Sequence, residues 1–255
     1  MPLRSAPLPR MAGHLSFMRA KSKTICDVRS GDLAVLGLPF EDTSAPYAGQ
    51  SLAPRALRET SVYFGWHANP QFSHPVDIDA RKDIETGGLH ERLCDLGDIL
   101  RGPDDAVHAA LSTATSQINR NGACAIILGG SDRLSETVQS ALPNCQTVQL
   151  GGTPSDARDF HIAPIPNGSG TTFRSDMAAQ LTRLSQWRDA SKPLFVKFDL
   201  SVFETSLSAL CDQPRMGGCN LDTVAKWLSA LGQQEVNAIM LTGLNPNRPG
   251  MGVVK

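Results

Sequence analysis

Three apolar runs of this sequence break into short polar segments, and those breaks hold the residues best suited to chemistry. Cys124–Leu128 runs into Gly129-Gly130-Ser131-Asp132, Thr147–Leu150 into Gly151-Gly152-Thr153-Pro154-Ser155, and Leu194–Asp199 into Leu200-Ser201. Asp199, at the end of its run, could bind a metal ion or a cationic substrate. Its plainer role is to accept hydrogen bonds from nearby backbone N–H groups. Asp132 follows a glycine pair at the start of a helical pattern, where N-capping is the default role. The glycine pairs match neither of the common phosphate-binding patterns and read as tight strand-to-helix turns. His161 stands near Asp156 and Asp159 in an Asp-x-x-Asp-x-His spacing. One metal ion could be held there, but a solvated loop is the plainer reading of the spacing. A cysteine nucleophile would need a base beside it, and neither Cys211 nor Cys219 has a histidine near it in sequence.

The elements that must position these residues alternate. Strands are expected at Leu33–Leu38, Cys124–Leu128, Thr147–Leu150, Leu194–Asp199 and Asn237–Thr242. Each is nearly continuous in apolar residues, as parallel strands covered on both faces are. Between them Asp104–Asn121, Ser131–Leu142, Arg174–Ala190 and Leu221–Leu231 carry helix-like spacing, with Gly122 placed to end the first. This order predicts an α/β fold: three layers around a doubly wound, mostly parallel sheet. In such sheets sites form at the carboxyl ends of the strands, where Asp132, Gly151 and Asp199 all fall. Phe64–Arg92 has no clear period and reads as an irregular excursion. Residues 1–32 are expected as an N-terminal arm and 33–255 as one domain.

Composition narrows the function. The chain has 255 residues, with 24 Lys+Arg against 25 Asp+Glu. No basic patch suggests nucleic acid, no stretch is apolar enough to span a membrane, and the N-terminus lacks the apolar core of a signal peptide. The six cysteines are scattered without a Cys-x-x-Cys pair. Reduced thiols in a cytoplasmic protein are therefore expected.

An ordered series of segments resembles the ureohydrolases, the family of arginase and agmatinase. Gly37-Leu38-Pro39-Phe40-Glu41-Asp42 is similar to that family's first strand and turn. Ala53-Pro54-Arg55-Ala56-Leu57-Arg58-Glu59-Thr60-Ser61 resembles its Gly-Pro-Arg-Ala-Ile-Arg-Glu-Ala-Ser segment. Asp95-Leu96-Gly97-Asp98 matches its Asp-x-Gly-Asp, and Ala125–Gly130 its strand before Gly-Gly-Asp-His-Ser. Ser169–Arg174, Gly217-Gly218 and Leu244-Asn245-Pro246 resemble later landmarks. The resemblance implies an arginase-like fold and, in the family, a pair of metal ions held by six ligands on three strand ends.

Here most of those ligands are replaced. The family's His position holds Asp132, preceded by Ser131. Its Asp-Ala-His-x-Asp ligands fall at Gly151, Thr153 and Ser155. A one-residue slip would offer only Asp156 and would aim it the other way. Of its Asp-x-Asp pair Asp199 is kept and the partner is Ser201. A late acid falls at Gly243, and a substrate-loop His at Ser169. Only Asp132 and Asp199 could still ligate. Losing even an outer-shell partner costs roughly 10–100-fold in metal affinity, so four lost ligands imply about 10⁴–10⁸-fold, or roughly 5.5–11 kcal/mol. The resemblance therefore implies no metal site and no catalytic residue in this chain. It implies instead a non-catalytic subunit of a trimeric or hexameric hetero-oligomer. The active partner would be a ureohydrolase homologue carrying Ni or Mn, as in metformin hydrolases, which split guanidine- or biguanide-type compounds. The other readings are an amidinohydrolase with an altered or mononuclear metal site, and a guanidine-binding regulatory protein. The chain ends soon after Asn245-Pro246, where relatives continue into a final helix, so coverage of that surface by a partner is also expected.

Overall fold

The computed structural model describes residues 15–45, 47–62, 76–77, 82–83, 89–152, 159–162, 172–204, 211–212 and 218–248. In chain order the strands are β1 Lys21–Ser22, β2 Leu33–Leu38, β3 Val76–Asp77, β4 Lys82–Asp83, β5 Leu93–Asp98, β6 Cys124–Gly129, β7 Gln146–Leu150, β8 Phe160–Ile162, β9 Leu194–Asp199 and β10 Ala238–Thr242. The α-helices are α1 Ala53–Ser61, α2 Leu89–Arg92, α3 Asp104–Arg120, α4 Ser135–Ser140, α5 Thr172–Trp187 and α6 Leu221–Gly232. Eight strands form one sheet in the order β1-β5-β2-β6-β10-β9-β7-β8, and every pairing in it is parallel. β3 and β4 pair antiparallel apart from it.

The expected α/β architecture is therefore present, with helices covering both faces. On one face Ala34, Leu36, Cys94, Ala125, Ile127 and Met240 pack with Val107, Leu111 and Ile118 of α3 and Val138 of α4. On the other, Val148, Val196 and Phe198 pack with Leu184 of α5 and Val224, Trp227 and Leu231 of α6. Leu57 of α1 joins Val35, Leu93 and Leu128 on that second side. The α6 spacing of i, i+3, i+7 places its three buried residues on one stripe, and Asn220 starts the helix by accepting the N–H of Thr223 at 2.9 Å. Among the described residues no helix is long and apolar enough to cross a membrane.

Three strands of the eight-stranded sheet, β1, β5 and β8, escaped sequence reasoning. β5 reads Leu-Cys-Asp-Leu-Gly-Asp, too acidic for a buried-strand pattern, yet Asp95 is 2% exposed. Arg58 of α1 explains this. Its Nε and Nη2 donate to the two oxygens of Asp95 at 2.8 and 2.9 Å, and Nη1 donates to Asp98 at 2.5 Å. The N–H groups of Phe17 and Gly97 also donate to Asp95, at 2.7 and 2.9 Å. β8 holds His161, so the loop expected there is an edge strand. β1, from the segment expected as an arm, pairs with β5. Most of the Phe64–Arg92 excursion lies outside the described residues.

Helix boundaries moved most at α4. The apolar spacing suggests Ser131–Leu142, but the helix spans only Ser135–Ser140 and starts after Leu134 with no side-chain cap. The N-capping role expected of Asp132 is thus corrected: its backbone carbonyl accepts the N–H of Ser135 at 2.9 Å, while its carboxylate points elsewhere.

All six cysteines are free. Burial pushes the Cys94 thiol up to about 11, Cys124 to about 12 and Cys219 to about 11, whereas Cys26 is exposed. Because the thiolate is the reactive form, titration of the native protein with a thiol-exchange chromophore near neutral pH should show one fast equivalent. Peptide mapping should place it at Cys26. Fast labelling of Cys94 or Cys124 would contradict the packing.

Candidate functional site

Because the sheet is all parallel, the carboxyl ends of β6, β7, β9 and β10 open on one edge. A cavity of about 310 Å³ lies there, lined among others by Asp42, Gln50, Asp132, Asp199, Ser201 and Asp212. This is the edge where open α/β sheets place their ligands. It also brings together four of the residues singled out in the sequence: Asp132, Gly151, Asp199 and Ser201. Thr153, Ser155, Asp156 and Ser169 lie outside the described residues.

Asp199 is 7% exposed and its carboxylate is occupied. Oδ1 accepts the N–H of Ser201 at 2.8 Å, starting the short 3₁₀ turn Leu200–Val202, and Oδ2 accepts the Thr242 hydroxyl at 2.8 Å. Its plainer expected role, a backbone acceptor at a turn, is what the geometry displays. The Ser201 hydroxyl accepts the N–H of Gly152 at 2.9 Å. It therefore ties the β9 end to the β7 end.

Gly151 and Gly243 stand where the packing leaves no room for a side chain. Gly151 has φ +72°, and a Cβ there would lie 2.7 Å from the Val202 nitrogen and 2.8 Å from the Asp199 carbonyl oxygen. Both are backbone atoms that cannot rotate away. Gly243 has φ +85°, and its Cβ would meet Asp199 Oδ1 at 2.9 Å. Only glycine takes such backbone angles without strain. The two strand ends are closed down onto Asp199, filling space that side chains would need.

The residue that sequence reasoning missed is Lys197. It lies in β9 two positions before Asp199, on the same face of the strand, and is 3% exposed. Its Nζ donates to Asp132 Oδ2 at 3.1 Å. By register Lys197 stands between Gln149 of β7 and Met240 of β10, both fully buried. The signal was present as the one charged residue inside the run Leu-Phe-Val-Lys-Phe before Asp199. Such a lysine is normally kept out of a core unless paired.

The remaining acids of the cavity are also engaged. The Ser44 hydroxyl holds the Asp42 carboxyl below its usual range, burial opposes this, and the Ser44 N–H and Arg133 add to the lowering. Asp212 Oδ1 accepts from Asn245 Nδ2 at 3.1 Å. Burial works against the charge of neighbouring Glu41. The N–H groups of Gly49, Gln50 and Ser51, at 2.8, 3.3 and 3.1 Å, outweigh it and keep that carboxyl below its ordinary range.

A pair of divalent ions needs several His or carboxylate donors with free lone pairs. The described donor set does not fit one. Asp199 is satisfied by two protein donors, Asp132 faces an ammonium, and Gly151 and Gly243 have no side chain. No group of three or more His, Cys, Asp or Glu able to hold a metal ion occurs among the described residues. A fixed positive charge close by adds repulsion, on the order of 4 kcal/mol per unit charge at 4 Å with an effective dielectric constant of about 20. The His161 ring lies 3.3 Å from the Gly151 carbonyl oxygen through Nε2, a strand contact that joins the β7 and β8 ends. Cys211 lines the cavity, but no histidine lines it with Cys211, and Cys219 is packed in the core around α6.

The family model described as the arginase family matches residues 31–153. No curated protein sequence matches the chain. Proclavaminate amidino hydrolase from Streptomyces clavuligerus superposes with a TM-score of 0.73 at 18% identity, covering 96% of this chain and 92% of that one. Agmatine ureohydrolase of Thermoplasma volcanium gives 0.67 at 14% identity, over 94% and 89%. Formimidoylglutamase from Bacillus subtilis gives 0.65 at 15% identity, over 96% and 91%. At such identities the likeness of these structures establishes the fold.

Proposed function

From the premise that residues 31–153 carry the arginase-family sequence and that the whole chain has the ureohydrolase fold, we propose that this protein is a catalytically inactive subunit. It assembles with an active, metal-dependent homologue that hydrolyses a guanidine- or biguanide-type C–N bond, as metformin hydrolase does. The observation that carries the reading is the closed β7 end. At Gly151, where a ureohydrolase would present a carboxylate, the backbone itself packs within contact of the β9 turn. Hydrolysis in that family depends on water activated by bound metal, and the described residues do not provide the donors.

In this reading the metal, Ni or Mn, belongs to the partner, and the complex is a cytoplasmic trimer or hexamer. The support for it is the resemblance itself, since ureohydrolases are typically trimers or hexamers in which a second, related chain could sit. Native mass spectrometry of the tagged protein from its own host, with metal analysis, tests it. The expected result is a mixed oligomer whose metal tracks the longer homologue, together with absent turnover of guanidine and biguanide substrates by this chain alone. Full turnover by the purified chain alone would end the proposal.

A further inference from the structure

We infer that Lys197 is a tethered cation that supplies, from within the chain, the counter-charge of Asp132 at the edge of this cleft. The core of the protein is therefore built to stand without a divalent ion. The inference rests on the Lys197–Asp132 geometry and not on the existence of a partner subunit.

Four carboxylates, Asp42, Asp132, Asp199 and Asp212, line one cavity of about 310 Å³. Acids gathered at one strand edge repel one another unless donors or cations face them. Asp199 and Asp212 are met by neutral donors, the Ser201 N–H and Thr242 hydroxyl for one and the Asn245 amide for the other. Asp42 has the Ser44 hydroxyl and N–H at 2.7 and 2.9 Å, with the half-exposed Arg133 at 3.7 Å. Asp132 is met by a full charge delivered from below: Lys197 rises from the buried centre of β9 and its ammonium ends 3.1 Å from the carboxylate.

The two partners are unequally buried, with side-chain exposures of 3% for Lys197 and 47% for Asp132. A lysine chain threaded through the core to reach a half-exposed acid is costly to desolvate. Its placement two residues before Asp199, on the same face of the strand, brings the charge to Asp132 from inside the core. Asp132 is consequently more than a surface acid: it is the counter-ion of a buried ammonium.

Thermal and urea unfolding of the full chain, with any co-purifying partner retained, tests this through Asp132→Asn, Lys197→Met and the double variant. Ordinary half-exposed Asp→Asn changes leave stability almost untouched. Here Asp132→Asn is expected to lower Tm by at least about 2 °C. The double variant should lose much less than the sum of the singles, giving a coupling of at least tenfold in the unfolding constant, about 1.4 kcal/mol. Titration of the wild-type chain with MnCl₂ or NiCl₂ should leave its Tm unchanged, since an ion that binds only the folded state would raise it. Should Lys197→Met fail to fold, Asp132→Asn and the metal titration still decide the matter. A neutral Asp132→Asn, additive singles, or a metal-dependent rise in wild-type Tm would overturn the inference. None of these measurements involves turnover: a neutral Asp132→Asn or additive singles would overturn this inference and leave the subunit proposal standing, whereas a metal-dependent rise in Tm would count against both.

Discussion

Gly151→Asp, which places a carboxylate where the resemblance aligns a ureohydrolase ligand, is expected to destabilise the protein by about 2–5 kcal/mol and to recruit no metal. Two costs add. An aspartate held at φ +72° pays roughly 1–2 kcal/mol for the left-handed conformation. Its Cβ would also stand 2.7 Å from Val202 N and 2.9 Å from Val202 Cβ, with the Asp199 carbonyl oxygen at 2.8 Å. Relieving those contacts means moving the Leu200–Val202 turn that Asp199 caps, an overpacking cost of about 1–3 kcal/mol. Urea unfolding measures the loss, and metal analysis after dialysis against Mn²⁺ measures the second claim. A stable variant retaining one metal per chain would mean that the β7 end is open in solution. The closure described here would then be wrong. The expected failure would show that backbone atoms, and not only the lack of a side chain, close this position.

Arg58→Met should cost about 3–5 kcal/mol, the range for breaking a buried ion pair by removing one partner. For a chain of this size that corresponds to a Tm drop of roughly 6–20 °C. Methionine keeps most of the apolar stem, so the loss reads the guanidinium and not a cavity. Without it, Asp95 at 2% exposure keeps only the N–H groups of Phe17 and Gly97, and the Asp98 carboxylate and the Gly97 carbonyl lose their donor. Arg58→Met combined with Asp95→Asn should recover part of the loss, because the uncompensated buried charge is then gone. A Tm within 2 °C of wild type for Arg58→Met would show that this network does not hold α1 and the Phe17 segment to β5. Both outcomes are readable by calorimetry on the same preparation.

The Arg58 network also shows how the sequence resemblance works physically. The Ala53–Ser61 and Asp95–Asp98 segments are two of its most specific stretches, and the structure joins them as donor and acceptor of one buried pair. This pair serves stability, whereas Asp132, Asp199 and Ser201 stand at the cleft. Scaffold and site are therefore separable here, and a fold likeness does not by itself carry the chemistry.

The sequence by itself determined the sheet. Leu33–Leu38 and Leu194–Asp199 coincide with β2 and β9, and Cys124–Gly129, Gln146–Leu150 and Ala238–Thr242 lie within one residue of expectation. Long apolar runs covered on both faces can do little else. What tertiary structure alone decided is how the remaining polar groups are spent. Asp132 abandons a helix cap for an ammonium 65 residues away in the chain, Asp199 is consumed by Thr242 from a neighbouring strand, and Asp95 is buried because Arg58 arrives from another element. Glycines 151 and 243 read in sequence only as positions where the resemblance would place an acid, and only the packing shows them to be closed. Local pattern sets which face a residue occupies. The partner it finds there depends on strands and helices far away in sequence, and hydrogen bonds and charge pairs are settled by that distance in space alone.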